Sequence, residues 1–138
     1  MANVGLKTTV WKMPIRNPVF DADEAPEGHT EHTLPKVDGS GFCECSLHLV
    51  GMYSREFIEA SRQALRARGD NWDIVNLDEE NTKILAACVV GWDDTGFIDV
   101  SYSPEEAMDL LQNVKWLADQ VQLAIADKKR FFANGSTN

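Results

Sequence analysis

Ser103-Pro104-Glu105-Glu106 constrains this chain more than any other four residues. Serine is a good N-cap, proline at the first helical position loses nothing by lacking an N–H, and glutamate at the third can answer the cap with its own carboxylate, so a helix starts here. Ala107, Met108, Leu110 and Leu111 form its inward face, and it breaks or bends near Gln112 and Asn113, giving a helix over 104–112. A second helix over 114–132 places Val114, Leu117, Val121, Ala124 and Phe131 at alternating three- and four-residue steps, interrupted by Lys128. Lys128, Lys129 and Arg130 then suit the negative end of its dipole.

Upstream the periodicity changes. Thr8 to Met13 is rich in β-branched and aromatic residues and is stopped by Pro14, as expected of a strand within residues 1–16. Residues 42–51 alternate, with Cys43, Cys45, Leu47 and Leu49 on one face and Glu44, Ser46 and His48 on the other. The two strands suit a hairpin with a long connection. That connection, 17–41, holds Pro18, Pro26 and Pro35 and six acidic residues before Gly39 and Gly41, and reads as an extended acidic loop.

Ser54 caps a helix over 54–68 that stops at Gly69, with Phe57, Ile58, Ala60, Ser61, Ala64 and Leu65 expected to be buried and Arg55, Glu59, Arg62 and Arg66 outward. Trp72 and Ile74 are expected to tuck onto the core from the connection that follows. A further helix over 77–90, capped by Asn76 or Asp78, carries Asp78, Glu79 and Glu80 in its first turn and Ile84, Leu85, Cys88 and Val89 inward. Residues 93–96 form a turn, 97–102 a short strand or extended linker, and 133–138 a polar tail. The fold class is α+β: a single domain with a small N-terminal antiparallel β-sheet followed by several α-helices.

At 138 residues the chain fits one domain able to bury its own core. A net charge of -9 repels phosphate backbones and anionic lipid, so neither nucleic acid nor a membrane surface is expected as a partner. The N-terminus lacks a secretory pattern, and the longest apolar run, Ile84 to Val90, is far short of the ~20 residues of a membrane span. Three cysteines, an odd number, suit a reducing compartment. A cytoplasmic protein is expected.

Metal and catalytic readings fare poorly. His29 and His32 precede Cys43, Cys45 and His48, but zinc sites usually present paired cysteines on a turn, whereas these share a strand face with Leu47 and Leu49. Ser46 or Cys45 beside His48 lacks a nucleophile elbow and an orienting acid at any motif spacing. Glu105 and Glu106 are explained by a helix start, and Asp93 and Asp94 by a turn; neither the calcium-loop nor the phosphate-cradle pattern is met. No catalytic residue, metal or cofactor is expected, and the chain reads as a non-enzyme.

A protein-interaction role fits better. Arg55, Arg62 and Arg66, with Arg68, make a basic stripe on an acidic molecule, and Trp116, Phe131 and Phe132 exceed what one thin apolar stripe buries. These are the candidate partner-binding residues.

Phe57–Arg66, Ile84–Trp92, Val100–Pro104 with its helix, Trp116–Gln120 and Ala126–Phe132, in this order and spacing, resemble the tail assembly chaperones of long-tailed bacteriophages. The resemblance implies a non-enzymatic protein of the host cell cytoplasm that binds the tail tube and tape-measure proteins during tail assembly and is absent from the finished particle. Self-association is compatible with it. The alternative is a structural virion component of the neck or tail.

Overall fold

The computed structural model describes residues 10–20, 25–68, 74–93, 95–127 and 131. Strand β1 (Trp11–Pro14) runs into the long connection, inside which β2 (Leu34–Pro35) pairs with β3 (Phe42–Cys43). Strand β4 (Ser46–Leu49), helices α1 (Arg55–Arg68) and α2 (Ile74–Ala87), strand β5 (Val89–Trp92), and helices α3 (Pro104–Asn113) and α4 (Lys115–Ile125) follow. The sheet order is β1-β4-β5, antiparallel throughout, with Met13 opposite Leu47 and Leu47 opposite Trp92. The architecture is α+β.

Alternation in β4 assigns the faces. Cys45, Leu47 and Leu49 are buried, joined by Met13 and Ile15 from the β1 side, while Ser46 and His48 turn to the other face. Leu111, Leu117, Val121 and Ile125 join the same core. Full burial of each such side chain stabilises by about 1.5–3 kcal/mol. The Ile15 N–H donates to the Cys45 carbonyl at 2.9 Å. Ladder parity therefore turns the backbone of Lys12 and Pro14 to the outer edge, where a charge and a missing N–H discourage further pairing.

The expected helix over 77–90 is corrected: α2 starts at Ile74 and ends at Ala87, and Val89–Trp92 forms β5 on the free side of β4. An apolar run of this length has no periodicity to separate helix from strand, and β-branched Val89 and Val90 with Trp92 favour the strand where an unpaired edge awaits it. Residues 78–80 consequently lie past the first turn of α2. The link 97–102 is no strand; Tyr102 Oη donates to the Val89 carbonyl at 2.7 Å and Trp92 Nε1 to the Val100 carbonyl at 3.1 Å.

The acidic connection is more ordered than an extended loop in its described parts. Leu34 is buried, the Asn17 N–H donates to the Glu31 carbonyl at 2.7 Å, and the Val37 N–H donates to the Gly96 carbonyl at 2.8 Å. These backbone groups thus have partners in spite of the acidic composition around them.

Helix starts follow the local chemistry. The Glu106 N–H donates to Ser103 Oγ at 3.1 Å. The reciprocal bond, from the Ser103 N–H to the Glu106 carboxylate, is not formed among the described residues, so half of the capping box is made. Asn113 Nδ2 donates back to the Asp109 carbonyl at 2.9 Å, and the chain leaves helical geometry at Val114 (φ -117°, ψ 81°), which separates α3 from α4 near the expected break. Trp72, Gly69 and the basic run 128–130 lie outside the described residues. No helix is long and apolar enough to cross a membrane among the described residues.

Candidate interaction surface

Helix α1 is held at its start by Ser54, which is buried; its Oγ donates to the Gly51 carbonyl at 2.7 Å and accepts from the Phe57 N–H at 3.2 Å. The helix packs against α2. Its half-buried residues are Glu56, Phe57, Ala60, Ser61 and Ala64, so the inward face is largely one of small side chains around a single phenyl ring. The expected burial of Ile58 and Leu65 is corrected: they are 42% and 64% exposed. Small residues let α1 approach α2 closely, and this orientation turns the two larger aliphatics toward the arginine side.

Arg55, Arg62 and Arg66 are exposed as expected, and none forms an ion pair with a carboxylate among the described residues. Arg55, Ile58, Arg62 and Leu65 follow one another at steps of three, four and three, which aligns them in one row along the helix. Arg66 flanks that row, as does the exposed carboxylate of Glu59. Sequence reasoning found the arginines and missed their apolar companions, although the small residues Ala60, Ser61 and Ala64 were a signal for the true inward face.

The C-terminal aromatics divide. Phe131 is only 9% exposed, its ring centroid 6.4 Å from that of Trp11 in an edge-to-face arrangement. A Cβ on Gly51 would sit 2.7 Å from the Phe131 ring, so glycine makes room for it. Phe131 is thus a core residue, with little ring surface to offer a partner. Trp116 is half-buried, packed against the core with its ring centroid 6.1 Å from that of Phe97. Phe132 lies outside the described residues. The arginine row lies on α1 and Trp116 on α4.

Groups with chemical potential are engaged elsewhere. His48 Nε2 lies 3.0 Å from Asp93 Oδ1, a pairing that β5 creates and that the sequence reading lacked when it found no acid for His48. The His48 ring also lies over Gly91, where an added Cβ would meet Nδ1 at 2.9 Å. Ser46 shares that sheet face but stands about 7 Å along the strand, and Cys45 points to the opposite face. The histidine and aspartate therefore link two strands without a nucleophile between them. Burial pushes the Cys88 thiol up to about 12, with a smaller push from Glu56, so it stays protonated at neutral pH.

A cleft of about 500 Å³ between β1 and α4 is lined by Trp11, Met13, Arg16, Glu31, Gln120 and Leu123. Its polar groups face one another: Arg16 pairs with Glu31 at 3.2 Å, while the Gln120 amide accepts from the Arg16 N–H at 3.0 Å and donates to the Arg16 carbonyl at 2.7 Å. Among the described residues, no group of three or more His, Cys, Asp or Glu side chains could hold a metal ion. No protein-family model, curated protein or solved structure matches the chain.

Proposed function

We propose that this protein is a non-enzymatic tail assembly chaperone of a long-tailed phage, binding tail tube and tape-measure proteins in the host cytoplasm before they polymerise. The sequence resemblance suggests the class, and the observation that carries a binding role is the outer row of α1, where exposed arginines alternate with exposed Ile58 and Leu65. Guanidinium groups and aliphatic side chains side by side are the composition of a protein-binding surface, since Arg is enriched at interfaces and the apolar groups gain by leaving water. With a net charge of -9, nucleic acid and anionic membranes are disfavoured as partners. Trp116 is a secondary contact in this reading.

Co-expression with the tail tube and tape-measure proteins of the same genome tests it. A chaperone is captured with one or both and is found at most in traces in purified particles by mass spectrometry. Many copies per particle would instead establish the structural virion component, and capture of neither protein would contradict the proposal.

A further inference from the structure

We propose that the outer row of α1 is a docking seam for an acidic amphipathic helix supplied by another protein. The inference rests on the reading of α1 as the interaction surface and adds the chemistry of what binds there. Steps of three, four and three are those of the a and d positions of a heptad, with Arg55 and Arg62 at one kind of position and Ile58 and Leu65 at the other. Helix α1 packs its opposite side on α2, and among the described residues this seam is left open, with Ile58 and Leu65 42% and 64% exposed.

Charge selects the mate. Two copies of α1 laid seam to seam would bring their arginines together, so a second copy is disfavoured. Carboxylates opposite Arg55 and Arg62 accept charge-assisted, bidentate hydrogen bonds, while apolar residues between them cover Ile58 and Leu65. The overall charge of -9 opposes an acidic partner at long range, so the attraction is local to the arginine row and acts within about a Debye length of it. Arg66 reinforces the row from one side, and Glu59 weakens it locally. A nucleic acid backbone would satisfy the arginines but leave Ile58 and Leu65 against sugar and phosphate, so the apolar half of the row argues for a helix.

The test uses fluorescence anisotropy with the full chain and a labelled helical peptide of roughly three heptads, leucine at d and glutamate at a, against a control with lysine in place of those glutamates. The glutamate peptide is expected to bind saturably and the lysine peptide not at all. Arg62→Glu and Leu65→Ser should each weaken binding by about tenfold or more, equivalent to roughly 1.4 kcal/mol, with unchanged circular dichroism. Arg62→Lys should retain most of it, and added salt should reduce it.

Absence of saturable binding by the glutamate peptide would overturn the proposal, as would binding indifferent to both substitutions. Tighter, Arg62-dependent binding of duplex DNA would overturn it in favour of phosphate recognition, and Arg62-dependent self-association in sedimentation would overturn it in favour of a second copy. Capture of tail proteins that is lost in Arg62→Glu, while the glutamate peptide fails to bind, would overturn the acidic helix alone and leave α1 as the surface.

Discussion

Helices α4 and α1 are both amphipathic, yet the protein uses them in opposite ways. Along α4, Leu117, Ala118, Val121 and Ile125 are all buried, whereas no described side chain of α1 from Arg55 to Arg66 is. The difference lies in which residues face inward. Large aliphatics hold α4 against the core, while α1 turns mostly small residues toward the body and leaves Ile58 and Leu65 outside with the arginines. A hydrophobic stripe therefore shows that a helix has two sides, and the sizes within it decide which side the protein keeps for itself.

The contrast breaks most visibly at Leu117. Leu117→Ala removes a side chain with no exposure and should cost about 2–5 kcal/mol in urea unfolding. A loss below about 1 kcal/mol would mean that α4 is not the packed element. Gly51→Ala comes next, because its Cβ would meet the Phe131 ring at 2.7 Å; overpacking should cost about 1–3 kcal/mol. Phe131→Leu in the same chain should recover part of that loss if Phe131 is core, and none of it if the ring faces solvent.

Alkaline pH sharpens the picture on the buried side. Cys88 is raised from 9.0 to about 12 in the folded protein, so above pH 9 the unfolded chain loses a proton that the folded chain keeps. Stability from this group is complete below the unfolded value and falls as pH rises between the two, by about 2 kcal/mol near pH ~10.5. Urea unfolding across that range should show a steeper decline for the native sequence than for Cys88→Ala; parallel curves would place the thiol in contact with water.

How far the sequence foretold this follows from how local each signal was. The helix start at Ser103 was legible because cap, proline and glutamates act within one turn, and the cap bond is present. The strand faces of Cys45, Leu47 and Leu49 were legible because period two leaves no other assignment. Strand β5 was hidden in an apolar run without period, and the His48–Asp93 pair was hidden with it because that pair exists only once β5 lies beside β4. Ile58 and Leu65 were misplaced for a third reason: hydrophobicity gives the direction of a stripe only to within a residue or two, and the packing of α1 on α2 chose the smaller side. Phe131 appeared surplus to α4 because the room that Gly51 makes for it is a tertiary fact.

Smaller effects complete the comparison. Ser103→Ala should cost about 0.5–2 kcal/mol through one lost capping bond, read as a lower midpoint in thermal unfolding. Leu65→Ser should change stability by no more than about 0.5 kcal/mol in the same assay, since the residue is 64% exposed. If Leu65→Ser is as damaging as Leu117→Ala, α1 is a core helix and its outer row is no binding surface.

Hydrogen exchange tests the central claim most directly, with the chain measured alone and then with the tail tube or tape-measure protein of the same genome. Slower exchange on binding is expected along α1, from residue 55 to 66, with little change in α4 from 115 to 125. Protection that appears on α4 while α1 exchanges as it does in the free chain would contradict the account and move the binding surface to the side now assigned to the core.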